Sequence, residues 1–222
     1  MEQQIRTAAL FDFSRTLAGD FLQKQTYPWE ALPHIGTLIK EIGVTLSPDE
    51  YDHPSEEVWI AKSAKIAPTA LIEGAVIIGP DTEVRHCAYI RGNALIGAGA
   101  VVGNSTEIKN AILFDGVQVP HFNYVGDSIL GYRAHLGGGA LLSNVRSDHG
   151  DITVRGKGFA IPTGMRKVGA MIGDEGEIGA GAVLNPGTVI GRRSIVYPLV
   201  AVRGVVPAAH IFKKQGDVVP RL

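Results

Sequence analysis

From Ile60 onward, an aliphatic or large apolar residue returns at every sixth position: Ile60, Ile66, Ile72, Ile78, Val84, Ile90, Ile96, Val102, Ile108 and Phe114. Four places after each sits a small or β-branched residue, from Ala64, Ala70 and Val76 through Thr82, Ala88, Ala94 and Ala100 to Thr106. Gly79, Gly97 and Gly103 directly follow the apolar position. A period of this kind is the hexapeptide signature of a parallel β-helix. Three hexads close one triangular coil, with the aliphatic side chain inward, the small one beside it, and glycine at corners where a β-carbon is resisted. Each coil buries its apolar side chains only against its neighbours, so the stack needs caps at its open ends.

Past Phe114 the phase slips by two and resumes as Tyr124, Leu130, Leu136 and Leu142. It then vanishes until Ile172, Ile178, Leu184, Ile190, Val196 and Val202. Residues 143–171 therefore read as a loop inserted between neighbouring coils of one solenoid. The twenty hexads predict between six and seven coils, a prism roughly 30 Å long at ~4.8 Å per strand. The solenoid is expected over residues 56–206. Residues 1–55 lack the period. Their aromatics (Phe11, Phe13, Phe21, Tyr27, Trp29) and a helical stretch from Pro28 to Gly43 predict a small α/β cap on the first coil, with the aromatics as core. Pro48 to Glu57 reads as a linker, and residues 207–222 as a tail that leaves the period and carries Lys213, Lys214 and Arg221.

Twenty-one Lys and Arg balance twenty-two Asp and Glu, and no basic stripe marks a nucleic-acid face. One cysteine, Cys87, excludes an internal disulfide and fits a reducing cytoplasm. It reads as a small residue packed in a coil. No signal peptide and no apolar run long enough to cross a membrane is present, so membrane partners are not expected.

Residues eighteen apart lie one coil apart on the same corner, and Arg91 and Lys109 have that spacing. Two cations about 5 Å apart repel by about 0.8 kcal/mol in bulk water and ~3 kcal/mol at an effective dielectric of about 20. Glu73, one coil further along the column, would neutralise one of them in a solvated corner. An anionic ligand would serve both, and phosphate suits Arg by bidentate geometry and Lys as a point charge. His121 and Tyr124 lie inside the phase slip, where either Tyr124 or Val125 must turn outward. Irregularity in a strict repeat is where function is expected. A histidine there serves as a general base or as a structural hydrogen-bonder.

The segment from Val84 to Asp174 resembles the acetyltransferase domain of the bifunctional enzymes that join glucosamine-1-phosphate N-acetyltransferase to N-acetylglucosamine-1-phosphate uridyltransferase. The resemblance is strongest in Pro120-His121-Phe122-Asn123-Tyr124-Val125-Gly126-Asp127-Ser128-Ile129-Leu130-Gly131. It implies a left-handed helix and a homotrimer with the active site between adjacent prisms. It places the catalytic base on His121 and the phosphate-binding residues on Arg91, Lys109 and Tyr124. An active-site asparagine falls on Asn144, a substrate-contacting lysine on Lys167, and a CoA-phosphate contact on Lys213. His135 stands where the family has an asparagine that positions the amino sugar, and the loop between Asn144 and Lys167 is longer. No Gly-rich nucleotide-binding half is present, so uridylyl transfer is not expected. The whole chain also looks like shorter, stand-alone hexapeptide proteins named as pyrophosphorylase-like.

The implied reaction is acetyl transfer from acetyl-CoA, a co-substrate, to an amino-sugar 1-phosphate, glucosamine-1-phosphate first, with no metal required. His121 would deprotonate the C2 ammonium, and a backbone N–H near Gly138 would stabilise the oxyanion. Two other readings compete. One is a non-catalytic protein that binds a sugar phosphate or nucleotide sugar and partners a separate nucleotidyltransferase. The other is a trimeric zinc carbonic anhydrase using some of His86, His121, His135 and His149, although the His-x-x-x-x-His pair of that family is missing.

Overall fold

The computed structural model describes residues 2–221. The chain winds as a left-handed parallel β-helix with three flat faces. The first face stacks Ile60, Ile78, Ile96, Leu113, Leu130, Ile172, Ile190 and Val206 inward, through parallel pairing of successive coils. The second stacks Ile66, Val84, Val102, Val119, Leu136, Ile178, Val196 and Phe212. The third stacks Ile72, Ile90, Ile108, Val125, Leu142, Leu184 and Val202. Eight stacked strands make the prism about 34 Å long at ~4.8 Å per step, longer than the six to seven coils expected. The spacing count missed Val119, hidden by the slip, Val206, which comes only four residues after Val202, and Phe212, which lies in the supposed tail.

Every irregularity falls at one corner, between the third face and the first. All other inward residues stand six apart, whereas Ile108 to Leu113 and Val125 to Leu130 take five, Val202 to Val206 takes four, and Leu142 to Ile172 takes thirty. The slip of two is thus two single-residue shortenings at the same corner in successive coils. Leu113, not Phe114, holds the inward slot. Phe114 takes the position that Gly79 and Gly97 occupy in neighbouring coils, and it is buried against Phe11 at 5.1 Å between ring centroids. The thirty-residue interval leaves the coil as an antiparallel hairpin, Thr153–Gly156 with Phe159–Pro162. Its neck is closed by a bridge between Val145 and Lys167.

The first face is apolar on both sides. Its outward column, Trp59, Ile77, Leu95, Ile112, Ile129, Met171 and Val189, is buried along with the inward one. Parallel strands covered on both sides read as unbroken apolar runs, and Ala75-Val76-Ile77-Ile78 and Ala111-Ile112-Leu113-Phe114 are such runs. Over Ile77, Leu95, Ile112 and Ile129 the cover is the N-terminal segment. Its helix Ile35–Gly43 packs on the strands of three successive coils, and Pro28–His34 packs on Tyr124–Leu130. The helical part of the cap therefore lies along the flank rather than on the first coil. It is pinned there by Asp12 N–H to Asp174 Oδ2 at 2.8 Å, Asp174 N–H to Leu10 O at 3.0 Å and Asp115 N–H to Arg15 O at 3.0 Å. Phe11 and Trp29 are buried.

Residues 48–57 are more than a linker, because Tyr51–Ser55 forms a strand antiparallel to Val58–Ala61 and closes the open edge of the first coil. At the other end His210–Lys214 continues the second face, and Asp217–Pro220 folds back antiparallel on it. The first face at one end and the second face at the other are thereby shielded from edge-to-edge pairing. Among the described residues no helix is long and apolar enough to cross a membrane.

Candidate active site on the third face

The irregular corner gathers the polar side chains. Arg91 and Lys109 are register partners in adjacent coils, but Glu73 does not neutralise Arg91. Tyr89 Oη donates to Glu73 at 2.8 Å, while Arg91 Nε donates to Glu107 at 2.7 Å. Lys109 Nζ lies 3.2 Å from Asp127, whose side chain is only 6 % exposed. Asp127 is the hub. It accepts from Asn110 Nδ2 at 2.9 Å and from Asn144 Nδ2 at 2.5 Å, and the same Asn144 amide lies 3.2 Å from Tyr124 Oη. A largely buried carboxylate held by three donors is the arrangement that burial of a charge requires.

Val125 takes the inward slot and Tyr124 turns outward. Room for its ring comes from Gly126, since a β-carbon there would meet Tyr124 Oη at 2.5 Å and Asn144 Nδ2 at 2.8 Å. Burial, then the nearby carboxylates of Glu107 and Asp127, hold the Tyr124 phenol above its ordinary pKa, so it remains a proton donor at neutral pH. Lys167, from the returning arm of the inserted loop, lines a cavity of about 340 Å³ with Asp127, Asn110 and Pro33 of the flanking segment.

His121 stands at the other edge of the third face, exposed at the end of the strand Gln118–His121. Its Cα is at most about 18 Å from that of Gly126, five residues on. Asn123, buried, fixes this corner. Its Oδ1 accepts from His121 N–H at 3.1 Å, and its Nδ2 donates to Gly137 O at 2.9 Å and Ala140 O at 3.1 Å, one coil below. Gly138 occupies that lower coil beside His121, and a β-carbon on it would lie 3.6 Å from His121 Cβ.

The structure thus brings Arg91, Lys109, Tyr124 and Asn144 into one cluster, with Lys167 at its side, and pairs His121 with Gly138 at the opposite edge. It leaves His135 and Lys213 apart. His135 faces out from the second face with Nδ1 2.9 Å from Glu177 Oε2. Lys213 lies in the last coil, about 19 Å along the axis from His121 at ~4.8 Å per coil. The four histidines of the zinc reading do not converge within the chain, and no group of three His, Cys, Asp or Glu suited to a metal occurs among the described residues. Cys87 is exposed at a corner with φ 56°, not packed in a coil. Sequence reasoning passed over Asp127, Asn110, Glu107 and Asn123. Their signal was a cluster of amide and acid side chains beside apolar hexad positions.

A family model described as the GMPPB C-terminal domain matches residues 72–172. The chain is 35% identical over 106 residues to a bifunctional sugar-1-phosphate nucleotidylyltransferase/acetyltransferase of Sulfurisphaera tokodaii, covering 48% of this chain and 26% of that protein. It is 32% identical over 164 residues to the bifunctional protein GlmU of Methanococcus aeolicus, covering 66% of this chain and 40% of that protein. The chain thus spans between about a quarter and two fifths of the length of these relatives, and the matched part is their C-terminal acetyltransferase region. Among solved structures, a putative acetyltransferase of Bacillus cereus overlays with TM-score 0.43 at 20% identity, covering 77% of this chain and 81% of that one. A point mutant of perosamine N-acetyltransferase from Caulobacter crescentus, in complex with CoA and GDP-perosamine, gives TM-score 0.33 at 19% identity, covering 71% and 53%.

Proposed function

We propose that this chain, similar over half its length to the acetyltransferase region of those bifunctional proteins, transfers an acetyl group from acetyl-CoA to the amine of an amino-sugar 1-phosphate. Glucosamine-1-phosphate is the first acceptor to test. The observation that carries the reading is the third face itself, with a histidine locked by a buried asparagine at one edge and a cation, phenol and amide cluster at the other.

In this reading the sugar phosphate meets Arg91, Lys109 and the Tyr124 hydroxyl, while Asn144 and Lys167 line the sugar. Arg91 and Lys109 already hold Glu107 and Asp127, so phosphate binding requires each cation to share its donors between a carboxylate and the ligand. Arginine with five donors and lysine with three can do so. The imidazole of His121 takes a proton from the C2 ammonium, and the freed amine attacks the thioester carbonyl. The C–N bond forms as the C–S bond breaks, and CoA leaves as the thiolate. The Gly138 N–H, which donates to no backbone acceptor among the described residues, is available to the oxyanion. CoA would run along the edge between two prisms of a homotrimer, its phosphates toward Lys213 in the last coil.

The test is release of CoA thiol from acetyl-CoA and glucosamine-1-phosphate. His121→Ala should lower turnover by about 10²–10⁴-fold, the usual contribution of a general base, and near-normal turnover would remove His121 from that role. A second reading, a sugar-phosphate binder without catalysis, draws support from the internal neutralisation of Arg91 and Lys109. Ligand binding without thiol release from any amino-sugar phosphate would favour it.

A further inference from the structure

The irregular corner carries a third cation. Arg203 follows Val202 as Lys109 follows Ile108, four coils further along the same column. Unlike Arg91 and Lys109, it has no carboxylate. Among the described residues neither Arg203 nor Arg155, on the inserted hairpin, comes within the 4.0 Å of an acid that defines an ion pair. Both line a cavity of about 740 Å³ between the hairpin and the lower coils, with Arg146, Ser143, Asn185 and Gln215. Arg146 is held by Asp148 at 2.9 Å and by Asp151 O at 3.1 Å, and Asp148 also lines the cavity. Three guanidinium groups therefore face one carboxylate.

The two free arginines are held together by backbone packing. Gly204, at φ +84°, lies so close under the hairpin that a β-carbon would meet Arg155 O at 2.8 Å. Like charges fixed in a shared cavity repel unless an anion joins them, and guanidinium groups match phosphate oxygens bidentately. The volume lies within the ~300–1,000 Å³ of small-molecule sites, far more than a lone phosphate fills. Asn185 and Gln215 amides and the Ser143 hydroxyl add uncharged hydrogen-bonding groups suited to a ribose or base.

We propose that this cavity is a second binding site that takes the diphosphate of a nucleoside-diphosphate ligand on Arg155 and Arg203. CoA and a nucleotide sugar both present that chemistry. Ser143 and Val145 of its wall flank Asn144, so an occupant sits next to the third-face cluster without using its residues. The site is read by binding alone and does not depend on acetyl transfer.

The experiment is calorimetric titration of the full chain with ADP, CoA and UDP-N-acetylglucosamine, beside the double variant Arg155→Gln/Arg203→Gln. Both side chains are exposed, so an unchanged melting curve is expected. The wild type should bind at least one of the three, more weakly as salt is raised, and the double variant should bind it about 10- to 100-fold more weakly. A loss seen with CoA but not the nucleotide sugar assigns the site to the co-substrate, and the reverse assigns it to a nucleotide sugar. Equal affinity in wild type and double variant, or no binding of any of the three to the wild type, overturns the proposal. Either result leaves the His121→Ala assay to decide acetyl transfer on its own.

Discussion

At the scale of single residues, Asp127 matters more to the third face than the cations that the spacing singled out. Removing it leaves Lys109 without its acid and two amides without their acceptor. Asp127→Ala should therefore cost about 3 kcal/mol, in the range for breaking a largely buried pair, read as a lowered midpoint in chemical denaturation. Asp127→Asn should cost less, because it keeps an acceptor oxygen. Asn123 offers a contrasting case. Asn123→Ala frees the His121 N–H and two carbonyl oxygens of the next coil, so a stability loss of about 1–3 kcal/mol is expected. In the acetyl-transfer reading it also lowers kcat while His121 itself is intact. A variant of unchanged stability would show that solvent replaces those bonds. Both residues lie in a segment that the sequence marks as irregular. Their partners lie mostly on neighbouring coils, and the exact interval follows only from where the coil loses a residue.

At the scale of elements, the flank and its anchor form the most exacting joint. Phe11 fills the space against Phe114, and Phe11→Ala should cost about 3–5 kcal/mol by opening a cavity there, with the loss measured by thermal or urea unfolding. Asp174 ties the same segment to the solenoid, accepting from Asp12 N–H and Tyr132 N–H and lying 3.1 Å from the Arg192 guanidinium as an ion pair. Burial raises its pKa above the ordinary 3.8, more than these donors lower it. A raised carboxylate pKa favours the fold fully below the unfolded value, and that contribution is lost as pH rises through the folded one. On acidification from neutral toward about pH 4, the wild type should gain stability relative to Asp174→Asn. A melting-temperature difference that stays constant across that range would contradict the shift. The apolar runs that the flank covers were present in the sequence, but a six-residue count assigns only one residue per hexad to the core. The second buried column needed a partner outside the repeat.

At the scale of the whole molecule, the covered first face leaves only the second and third faces free for contact with other copies. The third carries an outward apolar column in which Leu71 is 52 % exposed, Leu141 38 % and Val183 37 %, in register with Tyr89, Glu107 and Tyr124. If the proposed homotrimer forms through this face, Leu141→Glu or Val183→Glu should shift sedimentation from trimer to monomer without loss of the circular dichroism of the fold. A trimer in both variants would place the contact elsewhere.

The six-residue period determined, without any coordinates, that the chain coils, which side chains face inward over most of its length, and that Arg91 and Lys109 share a corner. Those features follow from a spacing that each hexad sets locally, and coil-on-coil stacking repeats it. The tertiary structure decided which face is covered, where the shortenings fall, and which acids meet the stacked cations. Asp12 meets Asp174 across 162 residues, and Arg91 pairs with Glu107 while Glu73 is taken by the Tyr89 hydroxyl. Contacts of that kind depend on how the turns close and on what packs against them, which no periodicity encodes.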